Sequence, residues 1–144
     1  MFKLNGKVCL VTGGSRGLGE SMAITFAKAG AQAVVITYNS DESKAIEVCK
    51  KIETHGSTSM AIHLEASNLD SIKKMVSEVK KEFSKIDVLV NNAGINRQAK
   101  MEDVTEKDWD DIMSVNLKGP FFCSREVFPI MIKNGGGRII NIGS

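Results

Sequence analysis

Short, largely apolar runs recur along the chain at residues 7–11, 33–37, 58–64, 87–92 and 138–142, reading "KVCLV", "AVVIT", "TSMAIHL", "DVLVNN" and "RIINI". Their apolar character is too continuous for strands with one wet face, so each predicts a strand covered on both sides. Between them the period changes. Ile72, Met75, Val76, Val79 and Phe83 fall on one face of a helix that carries lysines and glutamates opposite. Ala45, Val48, Cys49 and Ile52 repeat that spacing, and Gly56 stands where a left-handed cap ends such a helix, as Gly30 does after the first one. Strand and helix alternate to the end with short connections, which predicts a parallel sheet wound by right-handed crossovers and an α/β fold class. An open sheet of this kind takes ligands at the carboxyl ends of its strands, where the winding reverses.

A third helical stretch holds Trp109, Ile112, Met113, Leu117, Phe121, Phe122 and Phe128, more apolar surface than one core stripe needs. Either a second copy of the chain or a further part of the protein would cover the excess.

Length and composition narrow the picture. A chain of 144 residues is enough for one core and short for two, so residues 1–144 are read as one domain. Apolar residues at 42% and charged residues at 25% suit a globular protein, and no run is long enough to span a bilayer. The start, "MFKLNGKVCLVTGG", has no basic head followed by a long apolar stretch, so a cytoplasmic location is expected. The net charge of +2 comes from interspersed signs, as in "KKEFSK", which describes a solvated face and not a nucleic-acid footprint. Cys9, Cys49 and Cys123 lie far apart and form no CxxC pair, and His55 and His63 have no carboxylates at ligand spacing, so neither disulfides nor a metal is expected.

The chemistry lies in the connections. "TGGSRGLG", Thr12 to Gly19, follows the first strand and opens the first helix, the context a dinucleotide fingerprint requires. Gly13 permits the turn off the strand, Gly17 lets the backbone approach a pyrophosphate, and Gly19 lets the helix pack close to the sheet. The free N–H groups of Ser15, Arg16, Gly17 and Leu18 at that helix start then face an anion.

The spacing G-x-x-x-G-x-G after Thr12 resembles the short-chain dehydrogenase/reductase family. "NNAG" at Asn91 to Gly94, "VNLKG" with Asn116 and "IINIGS" follow in that family's order, and together they cover essentially the whole chain. The resemblance implies a Rossmann-type, doubly wound parallel sheet that stops after the fifth strand. It also implies hydride transfer between a nicotinamide and a carbonyl or secondary alcohol. Asn92, Ala93 and Gly94 would border the cofactor, while Asn91 ties neighbouring strands through its amide. Glu65 and Ala66 follow the third strand where relatives carry an aspartate for the adenine amine. The stretch from Asn91 to Gly119 is similar to both β-ketoacyl-carrier-protein reductases and sugar-acid or gluconate-type dehydrogenases. The polar Asn96, Arg97 and Gln98 lean slightly towards a polar substrate.

An NAD-preferring site usually carries an acidic residue near the end of the second strand, whereas a 2′-phosphate wants a cation instead. Here the strand ends in Thr37, Tyr38, Asn39 and Ser40, all uncharged, and Arg16 matches a family position that often meets the 2′-phosphate. NADP(H) is therefore the preferred cofactor and NAD(H) the alternative, with Asp41 close enough to matter if the strand ends later.

By the resemblance, Ser144 and Asn116 match two of the family's four catalytic residues. Pro120 lacks an N–H and so frees the Asn116 carbonyl, which suits a proton relay or else marks a plain helix kink. The family's Tyr-x-x-x-Lys pair is missing. Tyr38 is the one tyrosine, and Glu42 stands four positions on. Two readings follow: the cofactor-binding amino-terminal half of an enzyme, inactive as it stands and homo-oligomeric when complete, or a self-sufficient nucleotide-binding or interaction module. "RIINIGS" would in either case be an exposed edge that invites self-association.

Overall fold

The computed structural model describes residues 3–143. Five strands, β1 (Val8–Val11), β2 (Ala33–Tyr38), β3 (Thr58–His63), β4 (Val88–Asn91) and β5 (Arg138–Asn141), form one parallel sheet in the order β3-β2-β1-β4-β5. The helices α1 (Gly17–Lys28), α2 (Glu42–Glu53) and α3 (Leu69–Phe83) connect the first four strands. Between β4 and β5 run a short 3-10 turn, α4 (Glu106–Met113), a π turn (Ser114–Lys118) and α5 (Gly119–Lys133). This is the doubly wound α/β sheet that the alternation predicted.

The two faces of the sheet are legible in β1 alone, because side chains alternate along a strand. Val8 and Leu10 join α3 and α5 in one core, with Ile72, Met75, Val79, Cys123 and Val127. Cys9 and Val11 join α1 and α2 in the other, with Ala23, Ala27, Ala45, Val48 and Ile52. Phe83 and Cys49, placed on those helical faces by their spacing, sit half-buried at the rims.

Side chains written next to the apolar runs start the helices. Asp41 accepts from Lys44 N at 3.0 Å to cap α2, and Asn68 accepts from Ser71 N at 2.9 Å to cap α3. Thr105 and Asp108 bond each other's backbone N–H, both at 3.1 Å, in a capping box on α4. Gly30 and Gly56, with φ of +86° and +89°, follow α1 and α2 as the sequence places them.

The third helical stretch is a continuous coil with a flaw in it. The π turn wraps Asn116, Gly119 N–H bonds back to Ser114 O, and Pro120 falls in the first turn of α5. The missing proline N–H thus coincides with the widened turn, where the regular ladder of bonds is already interrupted. Only one side of this stretch is covered: Cys123, Val127 and Met131 are buried, while Trp109, Leu117, Phe121, Phe128 and Ile132 are exposed. β5 is an edge of the described sheet, and its Ile140 stands 42% exposed.

Candidate cofactor cleft

Strand order reverses at β1, with β2 on one side and β4 on the other. The connections leaving β1 and β4 therefore diverge, and a cleft of about 780 Å³ opens between them.

The glycine loop forms its floor. Leaving β1, Thr12 is buried and its hydroxyl accepts from both Asn92 N and Ala93 N at 3.0 Å, pinning the β1 loop to the β4 loop. Asn92 returns the tie by donating from Nδ2 to the Thr12 and Gly13 carbonyls at 3.1 Å. On the other side, Gly13 N donates to Thr37 Oγ1 at 3.0 Å and Gly14 N to Thr37 O at 3.1 Å. The Thr12 hydroxyl and Asn92 Nδ2 are thus spent on shaping the floor, while Gly13, Ser15, Arg16, Asn92, Ala93 and Gly94 line the space.

Gly19 has no room for a side chain. A Cβ there would lie 2.2 Å from Gly13 O and 2.5 Å from Asn92 Nδ2, so α1 presses directly on the loop it leaves. Gly17 is glycine for another reason. Its φ is +57° and a Cβ would meet nothing within 4 Å. Together with Leu18 it begins α1 without any capping side chain, and the first backbone bond runs from Glu20 N to Arg16 O at 3.2 Å. Donors at this helix start are aimed outward with a positive dipole end behind them, which suits an anion.

On the β2 side, Tyr38, Asn39 and Glu65 line the cleft with Ala66, and Ser40 lies just outside the lining. Tyr38 stands edge-on to His63 with ring centroids 5.8 Å apart. Burial, and after it the Glu42 carboxylate, holds its phenol above the ordinary range. The strand ends at Tyr38, and Asp41 beyond it spends its carboxylate on the α2 cap.

On the β4 side, residues 92–100 cross the cleft without regular structure. Asn116 does not line the space. Its amide grips Ile95 on both sides, Oδ1 accepting from Ile95 N and Nδ2 donating to Ile95 O, each at 2.8 Å. Asn91 ties β4 to its neighbours, as the sequence suggested: Nδ2 reaches Asn141 Oδ1 at 2.8 Å on β5 and Ser124 Oγ at 3.1 Å on α5. Ser144 lies outside the described residues.

Two contributors escaped the sequence reading. A Cβ on Gly119 would lie 2.7 Å from Ala66 O, so this glycine lets the β3 loop settle against the start of α5. Asp87 is buried and accepts from Val8 N at 2.8 Å, with Lys85 Nζ 3.1 Å away, fixing the lower ends of β1 and β4. The "KGP" and "IDV" strings carry no local sign of either contact, since the partners lie far away in the chain.

Glycine loop, uncapped helix start and reversed strand order are the features that a dinucleotide-binding site requires. A short chain dehydrogenase family profile matches residues 7–144, and the chain belongs to that family. It is 41% identical over 138 residues to a 3-oxoacyl-(acyl-carrier-protein) reductase of Staphylococcus aureus, covering 96% of this chain and 56% of that one. It is also 41% identical over 144 residues to a 2-dehydro-3-deoxy-D-gluconate 5-dehydrogenase of Dickeya dadantii, covering 99% of this chain and 55% of that one. Among solved structures, a short-chain dehydrogenase from Burkholderia cenocepacia in complex with NADP superposes with a TM-score of 0.91 at 35% identity, over 99% of this chain and 57% of that one. The chain spans about half the length of the curated relatives it matches. Among the described residues, no helix is long and apolar enough to cross a membrane.

Proposed function

We propose that this chain is the cofactor-binding part of an NADP(H)-dependent oxidoreductase that moves a hydride between nicotinamide and a carbonyl or secondary alcohol. The observation that carries the cofactor preference is the pairing of Arg16 with a β2 end, Thr37 to Ser40, that bears no charged side chain. Arg16 lines the cleft at the uncapped start of α1, while Asp41 is committed to the α2 cap. A guanidinium supplies both charge and paired donors to a phosphate. Crowding at Gly19 and open space at Gly17 fit a pyrophosphate above the loop, with the 2′-phosphoribose towards Tyr38, Asn39 and Ser40 and the nicotinamide towards Ala93 and Gly94. The nicotinamide supplies the hydride chemistry when bound, and this chain's residues bind and orient it.

Asn116 belongs to the reaction as a residue that fixes the Ile95 backbone at the β4 side, and Ser144 as a hydroxyl that would bond the substrate oxygen. With no Tyr-x-x-x-Lys in the chain, turnover by these residues alone is not expected, because general acid–base contributions are commonly worth about a hundredfold to ten-thousandfold. A 3-oxoacyl thioester or a keto-sugar acid is the substrate class suggested by the two named relatives, and the complete protein would act as a homo-oligomer in the cytoplasm.

Fluorescence titration of the chain with NADPH and NADH tests the cofactor reading. NADPH should bind more tightly, and Arg16→Leu should remove most of the difference. Equal affinities in the unsubstituted chain, or tighter NADH binding, would overturn the preference. Binding of neither cofactor would overturn the oxidoreductase reading and leave an interaction module.

A further inference from the structure

Residues 96–100 have no strand or helix to hold them, yet they form part of the cleft's β4 wall through Arg97. Asn116 fixes the segment just before them, at Ile95. Past that point, among the described residues, Arg97 makes the one side-chain tie that holds the stretch to the body. Its guanidinium pairs with Asp111 Oδ2 and lies 3.5 Å from Asp108 Oδ1, both on α4. Asp111 is shared with Lys107, whose ammonium is 2.5 Å from the same oxygen. The result is a four-membered network of alternating charge at the rim of the cleft, and Asp111 itself lines the space.

This arrangement changes what Arg97 can do. A polar donor at the pocket wall looks at first like a substrate contact, but here two carboxylates already neutralise the guanidinium. Its charge is spent on holding the loop.

We propose that Arg97 is a positioning residue: its ion pairs with Asp111 and Asp108 latch the 96–100 loop to α4 and so set the shape, and the cofactor affinity, of the β4 side of the cleft. The inference rests on the cofactor reading above for its effect on affinity, and on geometry alone for its effect on the loop. Asp108 and Asp111 are both held below the ordinary carboxylate range, Asp108 first by its bonds to Thr105 and Asp111 first by Lys107 and then Arg97, in keeping with carboxylates kept ionised for pairing.

A latch and a simple through-space charge make opposite predictions, so the two can be separated. If Arg97 merely attracts an anionic cofactor, Arg97→Met weakens NADPH binding and Asp111→Asn strengthens it. If Arg97 acts through the loop, both substitutions weaken binding in the same direction. The expected loss is about threefold to tenfold, the range of one or two exposed ion pairs. The double variant should then be no worse than the poorer single one, and Arg97→Lys should recover part of the loss. Amide hydrogen exchange at Ile95, whose N–H is bonded to Asn116 Oδ1 where the loop begins, gives an independent readout without cofactor: protection should fall in Arg97→Met and Asp111→Asn alike, while the strands keep theirs.

Unchanged exchange in both variants would overturn the latch whether or not the cofactor binds. Opposite signs in the titrations would overturn its influence on the cleft. Failure of the unsubstituted chain to bind NADPH, with exchange responding as stated, would instead remove the cofactor reading and leave the loop latch standing. Far-UV circular dichroism of each variant guards against global unfolding, which these partly exposed side chains are not expected to cause.

Discussion

At the scale of single residues, two glycines of one loop serve for unrelated physical reasons, and substitution separates them. A methyl group on Gly19 would collide with a backbone carbonyl 2.2 Å away, and neither side can yield without moving the β1 loop. Gly19→Ala should therefore cost about 1–3 kcal/mol, as overpacking does, and abolish cofactor binding with it. Gly17→Ala has room for its methyl but inherits a φ of +57°, so its cost should be smaller, about 1–2 kcal/mol. Urea denaturation of the two variants checks the order, and equal midpoints would contradict it. The sequence reading assigned Gly19 the reason the structure shows, close packing of α1, but did not reveal that the torsion at Gly17 also calls for glycine. A fingerprint records that a side chain is forbidden, and only the neighbours show whether space or torsion forbids it. Thr12 and Asn92 make the same point: their place beside the cofactor loop was readable, whereas the bonds that tie β1 to β4 join positions 80 residues apart.

At the scale of elements, the α4–α5 coil and the β5 edge each expose apolar surface and predict different associations. Trp109, Leu117, Phe121, Phe128 and Ile132 line a helical face, and Ile140 and Ile142 flank an open strand edge. Exposed apolar strips of this kind mark interfaces. Light scattering on Phe121→Glu/Phe128→Glu and on Ile140→Lys/Ile142→Lys should show which surface drives self-association. Helix pairing predicts dissociation only with the first pair, and edge pairing only with the second. A monomeric parent chain would refute both. The excess on this helix was countable from sequence because apolar residues outnumbered one stripe. The π turn was not, since Pro120 announced an interruption without saying whether the coil would kink, end or widen.

At the scale of the whole molecule, the two cores meet at a sheet whose strands were placed within a residue or two by their apolar runs, but the expected burial on both faces holds only for β1, β2 and β4; β3 and β5, the edges of the described sheet, are partly exposed because each has a neighbour on one side alone. Both cores enclose a thiol. Burial, and after it the Asp87 carboxylate, pushes the Cys9 thiol up to about 12, and burial pushes Cys123 up to about 12. The folded state therefore holds protons that the unfolded chain releases near its ordinary 9.0. The resulting stability is fully present below pH 9 and is lost as pH rises towards 12, by up to about 1.4 kcal/mol per pH unit for each thiol. Urea midpoints measured between pH 8 and 11 should fall along that slope, and less steeply in Cys123→Ala. An unaltered slope in that variant would assign the alkaline loss to other groups.

The π turn has a consequence for how this chain tolerates changes of length. Five residues of ordinary α-helix turn through about 500°, which would leave Asn116 about 140° around the coil from Asp111. In this structure both side chains reach the same loop, Asn116 at Ile95 and Asp111 at Arg97. The wider turn advances fewer degrees per residue and takes up part of that excess. Deleting Leu117 or Lys118 would restore a regular coil, a harmless edit by the measure of helix propensity, yet leave Asn116 five residues from Asp111 and so throw the two grips out of phase. Gene variants differing by a single codon there would keep their secondary structure and lose the wall of their cleft.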